Sequence, residues 1–309
     1  MNTLFQLLLI AFVAGCASQT PVPVPVAPVV PELPPKPPRI ALALGGGAAR
    51  GFAHIGVIKA LEAQGIHPDL ITGTSAGSVV GVLYAAGLNG FELQQVAFDI
   101  DESSLTDWAL PDRGVLRGEA LQDYINKAVK GRTLEHLGKP VGVVATDLGS
   151  GETVVFRNGN TGMAVRASST VPGVFQPVTI NGREYVDGGL SSPVPVQAAL
   201  NMGADFVIAV DIGNKPNWGT AESTLKVMLQ TFTIMGNVIS REELRKADIV
   251  IRPRTPQVKA TDFEGRHIAI LEGEKATAEV MVELKAKLAK AHGHEGPAPG
   301  FAPKPQVQP

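Results

Sequence analysis

Leu70-Ile71-Thr72-Gly73-Thr74-Ser75-Ala76-Gly77-Ser78-Val79-Val80-Gly81-Val82-Leu83-Tyr84-Ala85-Ala86 changes character at its centre. Leu70 to Thr72 is a short apolar run that reads as a buried strand, and Ser78 to Ala86 reads as an apolar helix. Between them, Gly73 to Gly77 matches G-x-S-x-G. A strand turning sharply into a helix around a serine is the arrangement of a nucleophile elbow, with Gly73 and Gly77 leaving room for the turn. Ser75 would then stand at a helix N-terminus, whose dipole favours developing negative charge. The competing reading is a Gly/Ser turn that only caps the helix. The strand before it and the helix after it favour the elbow.

Upstream, Ile40 to Leu44 reads as a second buried strand, followed by Gly45-Gly46-Gly47-Ala48-Ala49-Arg50-Gly51 and a helix from about Ala49 to Gln64. Glycines at a helix N-terminus let backbone N–H groups approach an anion. A dinucleotide loop does not fit, because Arg50 or Ala48 occupies a required glycine position, and no Gly-Lys-Ser/Thr of a P-loop is present. A phosphate-binding turn and an oxyanion hole aimed at a carbonyl oxygen both remain open. Arg50 beside a helix N-terminus opposes the dipole and should have an anionic partner.

Downstream, a helix is expected over Glu119 to Lys130, strands over Val141 to Thr146 and Thr153 to Phe156, and buried strands over Phe206 to Val210 and Ile249 to Ile251. Pro177 to Ile180 and Arg183 to Val186 flank Asn181-Gly182, a pair suited to a type I′ hairpin turn. An alanine- and lysine-rich helix over Glu272 to Ala291 closes the pattern. Alternating strands and helices imply an α/β sandwich on a largely parallel sheet. There is no internal repeat.

The 309-residue chain has 44% hydrophobic and 18% charged residues, a formal net charge of -2 and a single cysteine. That excludes an internal disulfide and a four-thiolate zinc site, and it argues against nucleic-acid binding. Leu4 to Ala14 is too short an apolar run to span a bilayer and fits a signal peptide over residues 1–15. Met1-Asn2-Thr3 lacks the positive charge usual there. Val13-Ala14-Gly15-Cys16 resembles a bacterial lipobox, which implies lipidation of Cys16. With Ala17 after the cysteine, the resemblance implies an outer-membrane anchor in the cell envelope, facing the periplasm. Nine of the eighteen residues from Pro21 to Pro38 are proline. Such a stretch favours polyproline II and would reach on the order of 50–55 Å as a tether over residues 16–38. Residues 292–309 read as a Pro/Gly-rich tail, leaving 39–291 as the folded unit.

A nucleophilic serine needs a base. None of the six histidines has a convincing setting: His54 lies on the first helix, His267 follows a polar run, and His292 and His294 lie near the tail. Asp187-Gly188-Gly189 alone reads most simply as a turn. Taken together and in order, GGGAARG, GTSAG and DGG resemble the patatin-like phospholipase family. Ala145-Thr146-Asp147-Leu148, Arg166 to Pro172 and Phe175-Gln176-Pro177 are also similar to it, and the likeness runs from about Ile40 to Ile212. One departure is Ala48, where many members have glycine.

The resemblance implies a three-layer α/β/α sandwich and a Ser–Asp dyad, with Ser75 as nucleophile and Asp187 as base. It places an oxyanion hole at the N–H groups of Gly46, Gly47 and Ala48, with Ala76 a further donor and Arg50 holding the loop. Gly45, Gly51, Gly73, Gly77, Gly188 and Gly189 are the motif glycines. It implies membrane lipid as substrate, with no cofactor and no metal. Burial should raise the Asp187 pKa, since an ordinary carboxylate is a weak base for a serine hydroxyl. Two other readings share these residues: an acyltransferase, and a non-catalytic lipid-binding lipoprotein.

Overall fold

A computed structural model describes residues 37–100, 116–213, 223–255, 258 and 264–292. The expected signal segment, Cys16, nearly all of the tether and the tail beyond 292 lie outside the described residues. The elements run β1 (Ile40–Leu44), α1 (Phe52–Glu62), β2 (Leu70–Thr74), α2 (Ala76–Ala85), α3 (Gly90–Asp99), α4 (Glu119–Ala128), β3 (Val141–Asp147) and β4 (Thr153–Phe156). They continue as α5 (Thr161–Ser168), β5 (Val178–Ile180), β6 (Arg183–Asp187), α6 (Val196–Asn201), β7 (Phe206–Val210), α7 (Thr224–Leu244), β8 (Ile249–Ile251) and α8 (Arg266–Ala291).

The eight strands form one sheet in the order β5-β6-β3-β2-β1-β7-β8, with β4 added on β3. From β3 to β8 the pairing is parallel, and β4, β5 and β6 pair antiparallel. β1 pairs on both edges and is covered on both faces, which is why it reads as an unbroken apolar run. Its alternate residues feed two cores. Leu42 and Leu44 join α1, α2 and α8 on one face. Ala41 and Ala43 join Val196 and Ala199 of α6 and Leu244 of α7 on the other. β7 divides in the same way, sending Phe206, Ile208 and Val210 to the first core and Val207 and Ala209 to the second. This is the expected three-layer sandwich.

Several boundaries differ from expectation. The first helix is preceded by a 3-10 turn over Ala48–Gly51, so α1 begins only at Phe52. α2 starts at Ala76, directly after the serine. α8 begins at Arg266 rather than Glu272, where the Arg266 guanidinium donates 2.7 Å to Ala97 O at the end of α3. Helices α3, α5, α6 and α7 were not expected. The hairpin is as expected: Asn181 and Gly182 have φ of 51° and 78°, the two positive values of a type I′ turn.

α1 and α8 cross at backbone contact. A Cβ on Gly273 would lie 2.0 Å from Ala53 O, and one on Gly56 would lie 1.9 Å from Ile270 O. In an ordinary helix interior, Gly→Ala is favourable by about 0.5–1 kcal/mol. Here the obstacle is the partner's carbonyl, which can yield only if the helices separate. Gly273→Ala should therefore lower the unfolding free energy by about 1–3 kcal/mol, read as a lower urea midpoint at unchanged m-value.

Candidate active site

The G-x-S-x-G turn is a strained junction. Ser75 has φ 52° and ψ -122°, a conformation that costs a non-glycine residue about 1–3 kcal/mol. Gly77 is required by space, since a Cβ there would lie 2.1 Å from Leu44 O. The strain is held by hydrogen bonds. Ser75 N–H donates to Ser168 Oγ at 2.8 Å, and the buried Ser168 hydroxyl donates onward to Val144 O. Ser78 Oγ donates to Ser75 O at 2.6 Å.

Strand register brings Asp187 to this turn. On β3, Val144 pairs with Thr74 at the end of β2, and Ala145 pairs with Asp187 at the end of β6. The residue after Thr74 is Ser75, and it lines the same cavity as Asp187, with its hydroxyl close enough to favour the ionised carboxylate. Gly189 N–H also donates to Asp187 Oδ1, at 2.7 Å. The Asp187 backbone is fixed by its N–H to Thr170 O at 2.8 Å and by Thr146 Oγ1 donating to Asp187 O at 2.9 Å. Burial pushes the Asp187 carboxyl up to about 6, against the Gly189 hydrogen bond and the nearby Ser75 hydroxyl. The expected direction of that shift is the one found.

The glycine loop faces the same point: a Cβ on Gly46 would lie 3.3 Å from Ser75 Cβ. The loop corrects one expected role. Gly46 N–H donates to Pro193 O at 2.9 Å and so is not open to a substrate oxyanion. The N–H groups of Gly47, Ala48 and Ala76 meet no acceptor among the described residues. Ala48 has φ 50°, so alanine is accommodated here in a conformation that glycine would take more easily.

A second correction concerns Arg50, whose partner is a carbonyl rather than an anion. Its Nε donates to Ile212 O at 2.9 Å, which ties the loop to the end of β7. His54 is fully buried, with Nε2 2.8 Å from Gly45 O. Burial lowers its pKa to about 4, opposed by that hydrogen bond, so it is neutral at ordinary pH and braces the loop. His267 lies in the first turn of α8, with Nδ1 3.1 Å from Glu264 O. No histidine among the described residues lines the cavity at Ser75.

The segment Ser192-Pro193-Val194-Pro195 was missed by sequence reading. Thr74 Oγ1 donates to Ser192 O at 2.8 Å, and Thr72 Oγ1 donates to Pro195 O at 2.9 Å. Ser192 Oγ in turn donates 2.6 Å to Oε1 of the buried Glu243 on α7. This short run thus joins β2, the glycine loop through Pro193 and α7. Asp147 takes no part in the site. It accepts from Gly149 and Ser150 N–H and pairs with Arg183 at 2.8 Å, closing the turn after β3.

A cavity of about 620 Å³ opens on this cluster, lined by Gly47, Ala48, Ser75, Asp187 and one face of α7. That size suits a small-molecule or lipid-chain site. A serine on an elbow, sharing a cavity with a buried carboxyl and with N–H groups that meet no acceptor among the described residues, has the layout of an acyl-transfer centre.

A model of the patatin-like phospholipase family matches residues 42–200, about half of the 309-residue chain and inclusive of both Ser75 and Asp187. The chain belongs to that family. An uncharacterised NTE family protein of Mycobacterium tuberculosis is 40% identical over 178 residues, 57% of this chain and 49% of its own length. Human patatin-like phospholipase domain-containing protein 6 is 36% identical over 184 residues, 57% of this chain and 13% of its own length. The chain thus spans about half the length of the mycobacterial relative. The crystal structure of VipD from Legionella pneumophila superposes with a TM-score of 0.54 at 15% identity, covering 80% of this chain and 67% of VipD. This supports the fold.

Ser168 offers a test of how the elbow is held. Ser168→Ala strands the Ser75 N–H and the Val144 carbonyl in a buried setting. The loss should be about 1–3 kcal/mol of stability, measured by urea unfolding.

Proposed function

We propose that the protein is a serine lipid acyl hydrolase that cleaves carboxylic ester bonds of phospholipids or lysophospholipids through an acyl-Ser75 intermediate. The observation that carries this is Ser75, on its strained turn, brought by strand register into one cavity with a buried Asp187 of raised pKa.

In this reading Ser75 Oγ attacks the ester carbonyl carbon as its proton passes to Asp187. The carbonyl oxygen gathers negative charge against the N–H groups of Gly47, Ala48 and Ala76, at the N-terminal end of α2. Collapse expels the alcohol, which takes the proton from Asp187. Water then attacks the acyl group, gives a proton to Asp187 and releases the fatty acid, and the proton returns to Ser75 Oγ. A carboxyl of ordinary pKa would be a poor base here. Burial narrows the gap to the serine hydroxyl.

Ser75→Ala and Asp187→Asn should each lower ester hydrolysis by roughly 10³-fold or more, while His267→Ala stays at the wild-type rate. An inactive but folded His267→Ala would replace the dyad with a triad. Because Asp187 must be ionised to act and titrates at about 6, kcat/KM should rise about tenfold per pH unit below that value and level off above it.

The N-terminal pattern supports a lipid anchor at Cys16 and a place in the bacterial cell envelope, at the outer membrane. Metabolic labelling with a fatty-acid analogue should mark the wild-type chain and not Cys16→Ser. Label on the variant would sink the anchor.

A further inference from the structure

α7 has two faces of different use. Gln230, Thr233, Asn237 and Ser240 lie on the face that lines the Ser75 cavity. The opposite face carries Val227, Ile234, Met235 and Val238, which are 49–55% exposed. They recur at i, i+7, i+8 and i+11, one stripe of a helix. Arg241 and Arg245 continue that stripe at i+14 and i+18 and are exposed. Glu242 pairs with Arg245 at 2.8 Å and Glu243 is buried against Ser192, so the charge of the stripe that no acidic side chain offsets among the described residues is Arg241, whose Nε donates to Asn237 O.

We propose that this outer stripe of α7 seats the protein on an anionic lipid bilayer, with the active-site cavity directly behind it. The choice of occupant rests on the lipid acyl hydrolase reading. Two further observations favour a bilayer over a second copy of the chain. Four half-exposed side chains on one helix fall well short of the about 800 Å² a side that a stable dimer buries. An apolar stripe running into Arg241 matches a surface with acyl chains below and anionic headgroups above. α7 would lie on the membrane, since no helix among the described residues is long and apolar enough to cross one.

The test uses the full chain carrying Cys16→Ser, so that one introduced cysteine takes an environment-sensitive nitrobenzoxadiazole label. With the label at Val238→Cys, vesicles of phosphatidylglycerol and phosphatidylethanolamine should raise and blue-shift the emission. The same label at Val282→Cys on α8, where the side chain is 84% exposed, should stay unchanged. Val227→Cys serves as a second reporter should the first variant fold poorly. A silent α7 label overturns the proposal, as does one that responds equally to phosphatidylcholine. A blue shift that follows protein concentration without vesicles assigns the stripe to a second copy and also overturns it.

Ile234→Ser combined with Val238→Ser should weaken vesicle partitioning by about tenfold per side chain. Hydrolysis of a soluble short-chain ester by that variant should remain at the wild-type rate. A chain that docks but hydrolyses no ester keeps this inference and sinks the hydrolase reading. A chain that hydrolyses the soluble ester without docking does the reverse.

Discussion

One edge of β3 carries the ends of two strands. Val144 and Ala145 both pair with β4 on one side, so Thr74 and Asp187, their other partners, must meet end to end along the opposite edge. β2 arrives parallel and β6 antiparallel, and both run out at the same place. The proximity of Ser75 and Asp187 is therefore a matter of backbone register in a buried sheet, fixed before any side chain chooses a rotamer. Register in such a sheet is strongly specified, because a slip of one residue would turn every core side chain to the wrong face. A pair of residues set in this way does not depend on a mobile loop to bring it together.

The segment Ser192 to Pro195 supplies the second constraint. It has little regular structure, yet its carbonyls receive Thr72, Thr74 and Gly46. It consumes the Gly46 N–H and leaves those of Gly47 and Ala48 to face the cavity. Motif matching alone marks a run of glycines as equivalent donors, whereas the folded chain divides them into structural and available ones.

Much of the fold was legible in the sequence. β1, β2 and β7 read clearly because burial on both faces makes them unbroken apolar runs, and Asn181-Gly182 named its own turn. Three of the four missed helices fall into two kinds; the fourth, α6, has only six residues and no side-chain cap. α3 and α5 carry caps that a closer reading could have used: Asn89 and Glu92 form a reciprocal capping box, and Asn160 accepts from Met163 N–H. α7 buries only Ser240, Glu243 and Leu244, and its apolar residues lie on both faces, Leu229 and Phe232 on the cavity and Val227, Ile234 and Val238 outside, so no single apolar face sets it apart. In the site, Ser75 was visible as a pattern in its strand-turn-helix context. Asp187 read only as a turn until the family resemblance singled it out. Ser168 and Glu243 left no local signal, because their partners lie 93 and 51 residues away in the chain.

Those same three buried residues lie in the last turns of α7, while none of residues 224–239 is buried. The helix is thus anchored most deeply at its C-terminal end, and its earlier turns rest more lightly on the fold, with Met228 beside Gly173. Glu243, at that C-terminal end, grips Ser192 Oγ and the Val194 N–H at 3.2 Å, the run that steadies the glycine loop and β2. A displacement of residues 224–239 would therefore be felt at a point one hydrogen bond from the framework that positions Ser75.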